Sequence, residues 1–154
     1  MDEEIVVSPE GAGAHFPHFW EHMFGSCHAP VTLTEDWRRD LRTLKEILDV
    51  RYVRFHGIFD REIGICAGVD AVGDVLLNFT RVDLVYDGLL ELGVRPFVEL
   101  SFMPEEIAER HSPHSFWYHS NVAPPRDPGQ WHQLVRKFAA HLVERYGIEE
   151  VAKA

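Results

Sequence analysis

Cysteine is nearly absent: the chain holds only Cys27 and Cys66. A disulfide framework needs more than one pair. The two therefore read as free thiols, which points to a reducing compartment, the cytoplasm. Basic residues are also scarce, with 15 Lys and Arg against 25 Asp and Glu and a net charge of −10. Nucleic acids and anionic membranes are bound through basic surface, so this composition argues against both as partners. No apolar run approaches the ~20 residues of a bilayer span, and the start, Met1 to Val7, has no apolar signal core. There is no glycine-rich phosphate loop, no long-period repeat and no low-complexity tract. At 154 residues the chain is also too short for a complete eight-stranded (β/α) barrel of about 250 residues.

What is present is ordinary globular material, with 45% apolar and 26% charged residues. A single domain over residues 1–154 is expected, with no internal boundary. Ile5 to Ser8 reads as a short strand, and His15 to Gly25 is an aromatic run leading into Phe24-Gly-Ser-Cys27, a strand end entering a loop. Thr34 suits a helix N-cap, with Glu35 and Asp36 in the first turn. Trp37, Leu41, Leu44 and Leu48 then recur at helical spacing. Arg51 to Gly57 favours a strand through Tyr52, Val53 and Phe55. Ile58 to Thr80 is a glycine-bearing excursion resembling a hairpin.

A second helix is expected through Val82, Leu84, Val85, Leu89 and Leu92, stopped by Gly93. Val94 to Met103 reads as a strand ended by Pro104, with Pro96 near its start. Glu105 to Arg110 is a short helix. The loop from His111 to Gly129 is rich in His, Ser, Pro and aromatics, and loops of that length in compact domains are commonly functional. Trp131 to Tyr146 forms a last helix through Leu134, Val135, Phe138 and Leu142, capped by Gly147, and Ile148 to Ala154 is a terminal turn or tail. Strands alternating with helices long enough for crossovers indicate an α/β fold with a parallel sheet.

Ligands of such folds sit beyond the carboxyl ends of the strands. That selects Cys27 and His28, His56 and Gly57, Ser101 to Met103, and the loop Phe116-Trp-Tyr-His-Ser-Asn121. Aromatic faces stack on sugar rings while His and Asn bind hydroxyls, so the set suits a neutral polar ligand. Each residue has a structural alternative. Arg54 pairs with Glu99 within the strand layer or supports a site. His56 is a ligand contact or a satisfied structural histidine. Trp117 and Tyr118 line a pocket or plug the core. His15, His18 and His22 have a metal-like spacing, but Pro17 interrupts them and bulky aromatics surround them, so no metal is expected there. In Ser26-Cys27-His28, neighbours on a strand point to opposite faces, which argues against a nucleophile pair.

Several blocks carry a resemblance. Phe16-Pro-His-Phe-Trp-Glu21, Gly25-Ser-Cys-His-Ala29, Arg51-Tyr-Val-Arg-Phe-His-Gly57, Asn78-Phe-Thr80 and Tyr86-Asp-Gly-Leu-Leu90 occur in order. Val94-Arg-Pro-Phe-Val-Glu-Leu-Ser-Phe-Met-Pro104, Asn121-Val-Ala-Pro-Pro125 and Arg145-Tyr-Gly-Ile-Glu-Glu-Val151 follow. Together they resemble family 39 glycoside hydrolases, which include β-xylosidases and α-L-iduronidases. The resemblance implies a (β/α)8 TIM barrel, of which this chain holds roughly the first three βα units, with the hairpin-like excursion after the second strand. It also implies retaining hydrolysis through two carboxylates, one of them in a Trp-Asn-Glu-Pro motif. No Asn-Glu-Pro occurs in this sequence.

By the same resemblance His56, Phe116, Trp117 and His28 are substrate-binding residues and Arg54 supports the site. Glu99 reads as structural. No catalytic residue, cofactor or metal is assigned. The expected partners are a xyloside or related sugar and either further copies of the chain or a complementing barrel fragment. Alternatives are half of a split enzyme and a non-catalytic, self-associating or weakly sugar-binding protein. An interrupted barrel exposes two strand edges, expected near Phe24 and at Val98 to Phe102, with an apolar patch at Val98, Leu100 and Phe102.

Overall fold

The computed structural model describes Gly13 and residues 15–153. The strand expected at Ile5 to Ser8 lies outside the described residues. Three strands, β1 (Met23–His28), β2 (Tyr52–His56) and β5 (Arg95–Val98), form a parallel sheet in the order β1-β2-β5. The crossovers are α1 (Glu35–Ile47) and α2 (Thr80–Glu91). Between β2 and α2, β3 (Cys66–Val69) and β4 (Val75–Leu77) form the expected antiparallel hairpin. A long helix, α3 (Pro128–Tyr146), and a single turn, α4 (Ile148–Val151), follow β5.

The period-two pattern of β2 sets the layers. Val53 and Phe55 are fully buried against the helices, while Arg54 between them is exposed on the opposite face. Met23 and Cys27 of β1 and Phe97 of β5 are exposed. The core lies between the sheet and the helices and includes Leu41, Val82, Val85, Leu89, Leu134, Phe138 and Leu142.

α1 starts after Thr34 as expected, but the threonine hydroxyl donates to the Val31 carbonyl at 2.8 Å and leaves the helix N–H groups uncapped. On α2, Leu84 is 51% exposed and falls outside the apolar stripe. At 100° per residue it stands about 200° from Val82, whose face is shared by Val85, Tyr86 and Leu89. Gly93 takes φ +65° and ends the helix, its N–H reaching the Leu90 carbonyl.

The strand expected through Met103 pairs only as far as Val98. Beyond it, Ser101 N–H bonds to the Glu99 carbonyl, the Ser101 carbonyl accepts from Phe59 N–H at 2.7 Å, and the Ser101 hydroxyl accepts from Gly57 N–H at 3.0 Å. The backbone leaves the ladder to fasten the turn after β2. The exposed apolar residues at this edge are Phe97 and Leu100, each 45% exposed, whereas Val98 and Phe102 are half-buried.

α3 begins three residues earlier than its apolar periodicity indicated. Asp127 is the N-cap, accepting from Gly129 N–H at 2.7 Å, and Pro128 opens the first turn. The helix clamps the hairpin through Val75, whose N–H bonds to Gln133 and whose carbonyl accepts from Lys137. The segment from Ile148, expected as a terminal turn or tail, is a turn, and it docks on β5 through a two-pronged pair between Arg95 and Glu150. An apolar groove of about 330 Å³ runs between β5 and α3, lined by Phe97, Leu100, Val135, Leu142 and Val151 among others. No helix of the described residues is long and apolar enough to cross a membrane.

Candidate functional site

The carboxyl ends of β1 and β2 finish on His28 and His56. Gly57 follows at φ +80°, and a Cβ there would meet His28 Cδ2 at 3.3 Å, so a glycine is needed both for the turn and for the ring beside it. The loop after β5 folds over this end. Asn121 anchors it, and all its side-chain bonding capacity is used. Its Oδ1 accepts from Ser112 N–H (3.2 Å) and Ala123 N–H (2.9 Å); its Nδ2 donates to Glu105 Oε2 and the Arg110 carbonyl, both at 2.9 Å. His119 at φ +47° turns the chain beside Tyr118.

Tyr118 is thereby pressed inward. Its ring stacks on His28 with centroids 4.2 Å apart and an interplanar angle of 21°. Its hydroxyl hydrogen-bonds His56 Nε2 at 2.6 Å. Burial lowers the pKa of His56 and of His28, and raises that of Tyr118. Burial thus favours the uncharged form of all three. Trp117 lies edge-on to His28 at 5.9 Å and is 70% exposed, and Phe116 stacks on Tyr118 at 5.8 Å and is likewise exposed.

The structure therefore brings His28, His56, Phe116 and Trp117 together at one end of the sheet. Their situations differ. Phe116 and Trp117 present open aromatic faces and His56 is half-buried. His28 is 1% exposed behind Tyr118 and offers no surface to a molecule resting on that face. Arg54 lies two residues before His56 on the uncovered side of the sheet and pairs with Glu99 at 3.0 Å. Cys27 is exposed and His28 buried, in keeping with strand alternation. His18 and His22 sit against separate carboxylates, Glu21 and Asp49.

The sequence reading did not single out Asp60 or Glu62. Asp60 is buried, accepts from Glu62 N–H at 2.9 Å and accepts a hydrogen bond from the Ser120 hydroxyl. Among the described residues, His28, Asp60 and Glu62 are the group of three possible metal ligands that converges, with one donor atom from each within 4.8 Å of the others. Asp60 lies in the glycine-bearing excursion, where an aspartate two residues before a bonded N–H signals only a turn. For Tyr118 the sequence offers both a pocket-lining and a plug reading; its hydroxyl contact to His56 spans 62 positions and has no local signature.

The sequence profile for glycosyl hydrolases family 39 matches residues 3–154. A β-xylosidase from Caldicellulosiruptor saccharolyticus is 42% identical over 135 residues, covering 86% of this chain and 27% of that enzyme. One from Geobacillus stearothermophilus is 33% identical over 150 residues, covering 96% and 30%. Among solved structures, a GH39 β-xylosidase from Caulobacter crescentus superposes with a TM-score of 0.80 at 34% identity, covering 92% of this chain and 31% of that one. The GH39 enzyme from Xanthomonas axonopodis pv. citri gives 0.81 at 34% identity, covering 91% and 27%. The chain spans less than a third of the length of these relatives.

Proposed function

The chain belongs to glycosyl hydrolase family 39, and we propose that it supplies the first three βα units of a β-xylosidase-type barrel and, with them, one wall of the sugar site. In this reading His56 offers a ring nitrogen edge to a sugar hydroxyl, Trp117 and Phe116 give it flat apolar faces, and Arg54 steadies the site from the uncovered side of the sheet. His28 contributes from behind, by holding the Tyr118 ring against which His56 is set. The observation that carries this is the convergence of His56 and Trp117, each 5.9 Å from the His28 ring, at the carboxyl ends of β1 and β2.

The reaction is hydrolysis of the O-glycosyl bond of a β-xyloside or a closely related sugar. A retaining mechanism needs an acid/base and a nucleophile at about 5–5.5 Å separation. The Asn-Glu-Pro glutamate is not in this sequence. The chain alone is therefore inactive. The two free cysteines support a reducing compartment.

The edge of β5 and the apolar groove beside it support packing of further polypeptide there, a complementing barrel fragment as in a split enzyme or another copy of the chain. The purified chain, incubated with a nitrophenyl β-xyloside, is expected to release no nitrophenol above buffer. Turnover that survives replacement of each glutamate in turn would refute the mechanism. Turnover abolished by one internal glutamate would instead identify a recruited catalyst. Xylose is expected to perturb one indole NMR signal weakly in the wild type, and persistence of that perturbed signal in Trp117→Ala would remove the residue from the wall.

A further inference from the structure

We propose that His28, Asp60 and Glu62 form a binding site for a divalent transition-metal ion of the zinc type, fastening the end of β1 to the turn after β2. Three independent observations meet here. The first is the convergence of one imidazole and two carboxylates within 4.8 Å. The second is His28 itself: its side chain is 1% exposed, yet neither Nδ1 nor Nε2 has a hydrogen-bond partner. A buried polar group left without a partner costs about 1–3 kcal/mol, so native structures seldom leave both nitrogens of one ring idle. A cation would take the lone pair of one of these nitrogens and remove its share of that cost.

The third is the support around the other two ligands. Asp60 accepts from the Ser120 hydroxyl and from Glu62 N–H, and each carboxylate oxygen has a second lone pair left for an ion. Ligating carboxylates are commonly held by such outer bonds. The Glu62 backbone is fixed by Arg81, which donates to its carbonyl at 2.6 Å, while its side chain is exposed. The site is thus rigid at His28 and Asp60 and open at Glu62, which gives an ion its way in. The Tyr118 ring over His28 fixes the imidazole plane.

The donor set selects the metal class. Imidazole suits zinc, cobalt, nickel and copper, and carboxylates suit harder ions; the mixture fits Zn2+ and its Co2+ surrogate better than Ca2+, which takes six to eight oxygens. Bonds of about 2.0–2.2 Å require the three donors to draw somewhat closer than 4.8 Å, a movement the exposed Glu62 side chain supplies. With three protein donors, at least one position is left for water.

The test is titration of the untagged full chain with Zn2+ by calorimetry, and with Co2+ by visible absorption. One equivalent is expected to bind with the spectrum of a low-coordinate N/O site. Glu62→Gln, at an exposed position that leaves the fold intact by circular dichroism, is expected to weaken binding about 100-fold or more, since losing even an outer-shell partner costs 10–100-fold. His28→Ala is expected to abolish it. Absence of stoichiometric binding by the wild type would overturn the proposal. So would binding that persists in Glu62→Gln and disappears in the His18→Ala/His22→Ala double variant, which would assign the ion to the surface histidines.

Discussion

Asn121 decides whether the aromatic loop stays on the site, and replacing it tests that directly. The side chain is 3% exposed and makes four hydrogen bonds, two through Oδ1 and two through Nδ2. A net value of about 1 kcal/mol per bond gives about 4 kcal/mol for the set. The bond to Glu105 is discounted, because that carboxylate is 40% exposed and water can replace the amide. About 3 kcal/mol remains for Asn121→Ala, read as a shift in urea midpoint at fixed slope. Asn121→Asp is expected to be worse than alanine. It keeps the two acceptor contacts but turns a carboxylate oxygen toward the Glu105 carboxylate and the Arg110 carbonyl, where donors are needed. Val122→Ala, at an exposed neighbour, is the control and is expected to stay within about 0.5 kcal/mol. Loss of the anchor also frees Tyr118 from His28 and His56, so near-ultraviolet circular dichroism is expected to fall in the same variants. A midpoint shift equivalent to less than about 1 kcal/mol for Asn121→Ala, or an aspartate variant more stable than the alanine one, would refute the reasoning.

Gly88→Ala on α2 sets helix propensity against a side-chain clash. Alanine gains about 1 kcal/mol in a helix interior, but its Cβ would lie 2.5 Å from Arg38 Nη2, whose guanidinium bonds the carbonyls of Thr32 and Leu84. Charged hydrogen bonds of about 1.5–3 kcal/mol are then at stake, so net destabilisation is expected, and a higher melting temperature would contradict it. The Asp87 carboxyl is held below its ordinary pKa by the Arg145 guanidinium and the Tyr146 hydroxyl. A depressed carboxylate stabilises the fold above its unfolded pKa and loses that contribution as pH falls through the folded one. Asp87→Asn is therefore expected to flatten the acid limb of stability below about pH 4, and an unchanged limb would rule the pair out. Light scattering after size exclusion is expected to show species heavier than 17.7 kDa, shifted toward monomer by Leu100→Glu in the groove beside β5. A monodisperse 17.7 kDa wild type with cooperative unfolding would sink the assembly reading.

The parallel βαβ frame was legible because its signals are local. Val53 and Phe55 alternate with Arg54, and Trp37, Leu41 and Leu44 repeat at helical spacing. The hairpin was legible from its glycines. The reading failed where non-local bonds overrule a local preference. Val94 to Met103 reads as one strand, yet pairing stops at Val98 because the Ser101 backbone and hydroxyl turn to bond Phe59 and Gly57 instead. His56 and Trp117 were selected because strand ends and long loops are where ligands sit in this class of fold, and the structure brings both beside the His28 ring. Asp60 and Glu62 were not found, because nothing in the sequence indicates that the turn after β2 reaches back to the end of β1.

Arg54 and Glu99 show how the weight of one contact depends on what covers it. The pair sits on the face of the sheet away from the helices, with side chains 55% and 30% exposed. Its register neighbours are Gly25 on β1, where a Cβ would meet open space, and Phe97 on β5. In the chain as it stands, water screens the pair and its contribution is about 0–1 kcal/mol. The glycine leaves room for the guanidinium, and an arginine in the middle of a central strand is otherwise a poor use of a position flanked by Val53 and Phe55. Covering that face with further strands would strip water from both charges. Removing one partner would then strand the other and cost about 3–5 kcal/mol. Glu99→Gln is accordingly close to neutral for the isolated chain and damaging for any assembly that closes over the sheet. That contrast separates a chain whose uncovered face is an ordinary surface from one whose uncovered face is the interior of something larger.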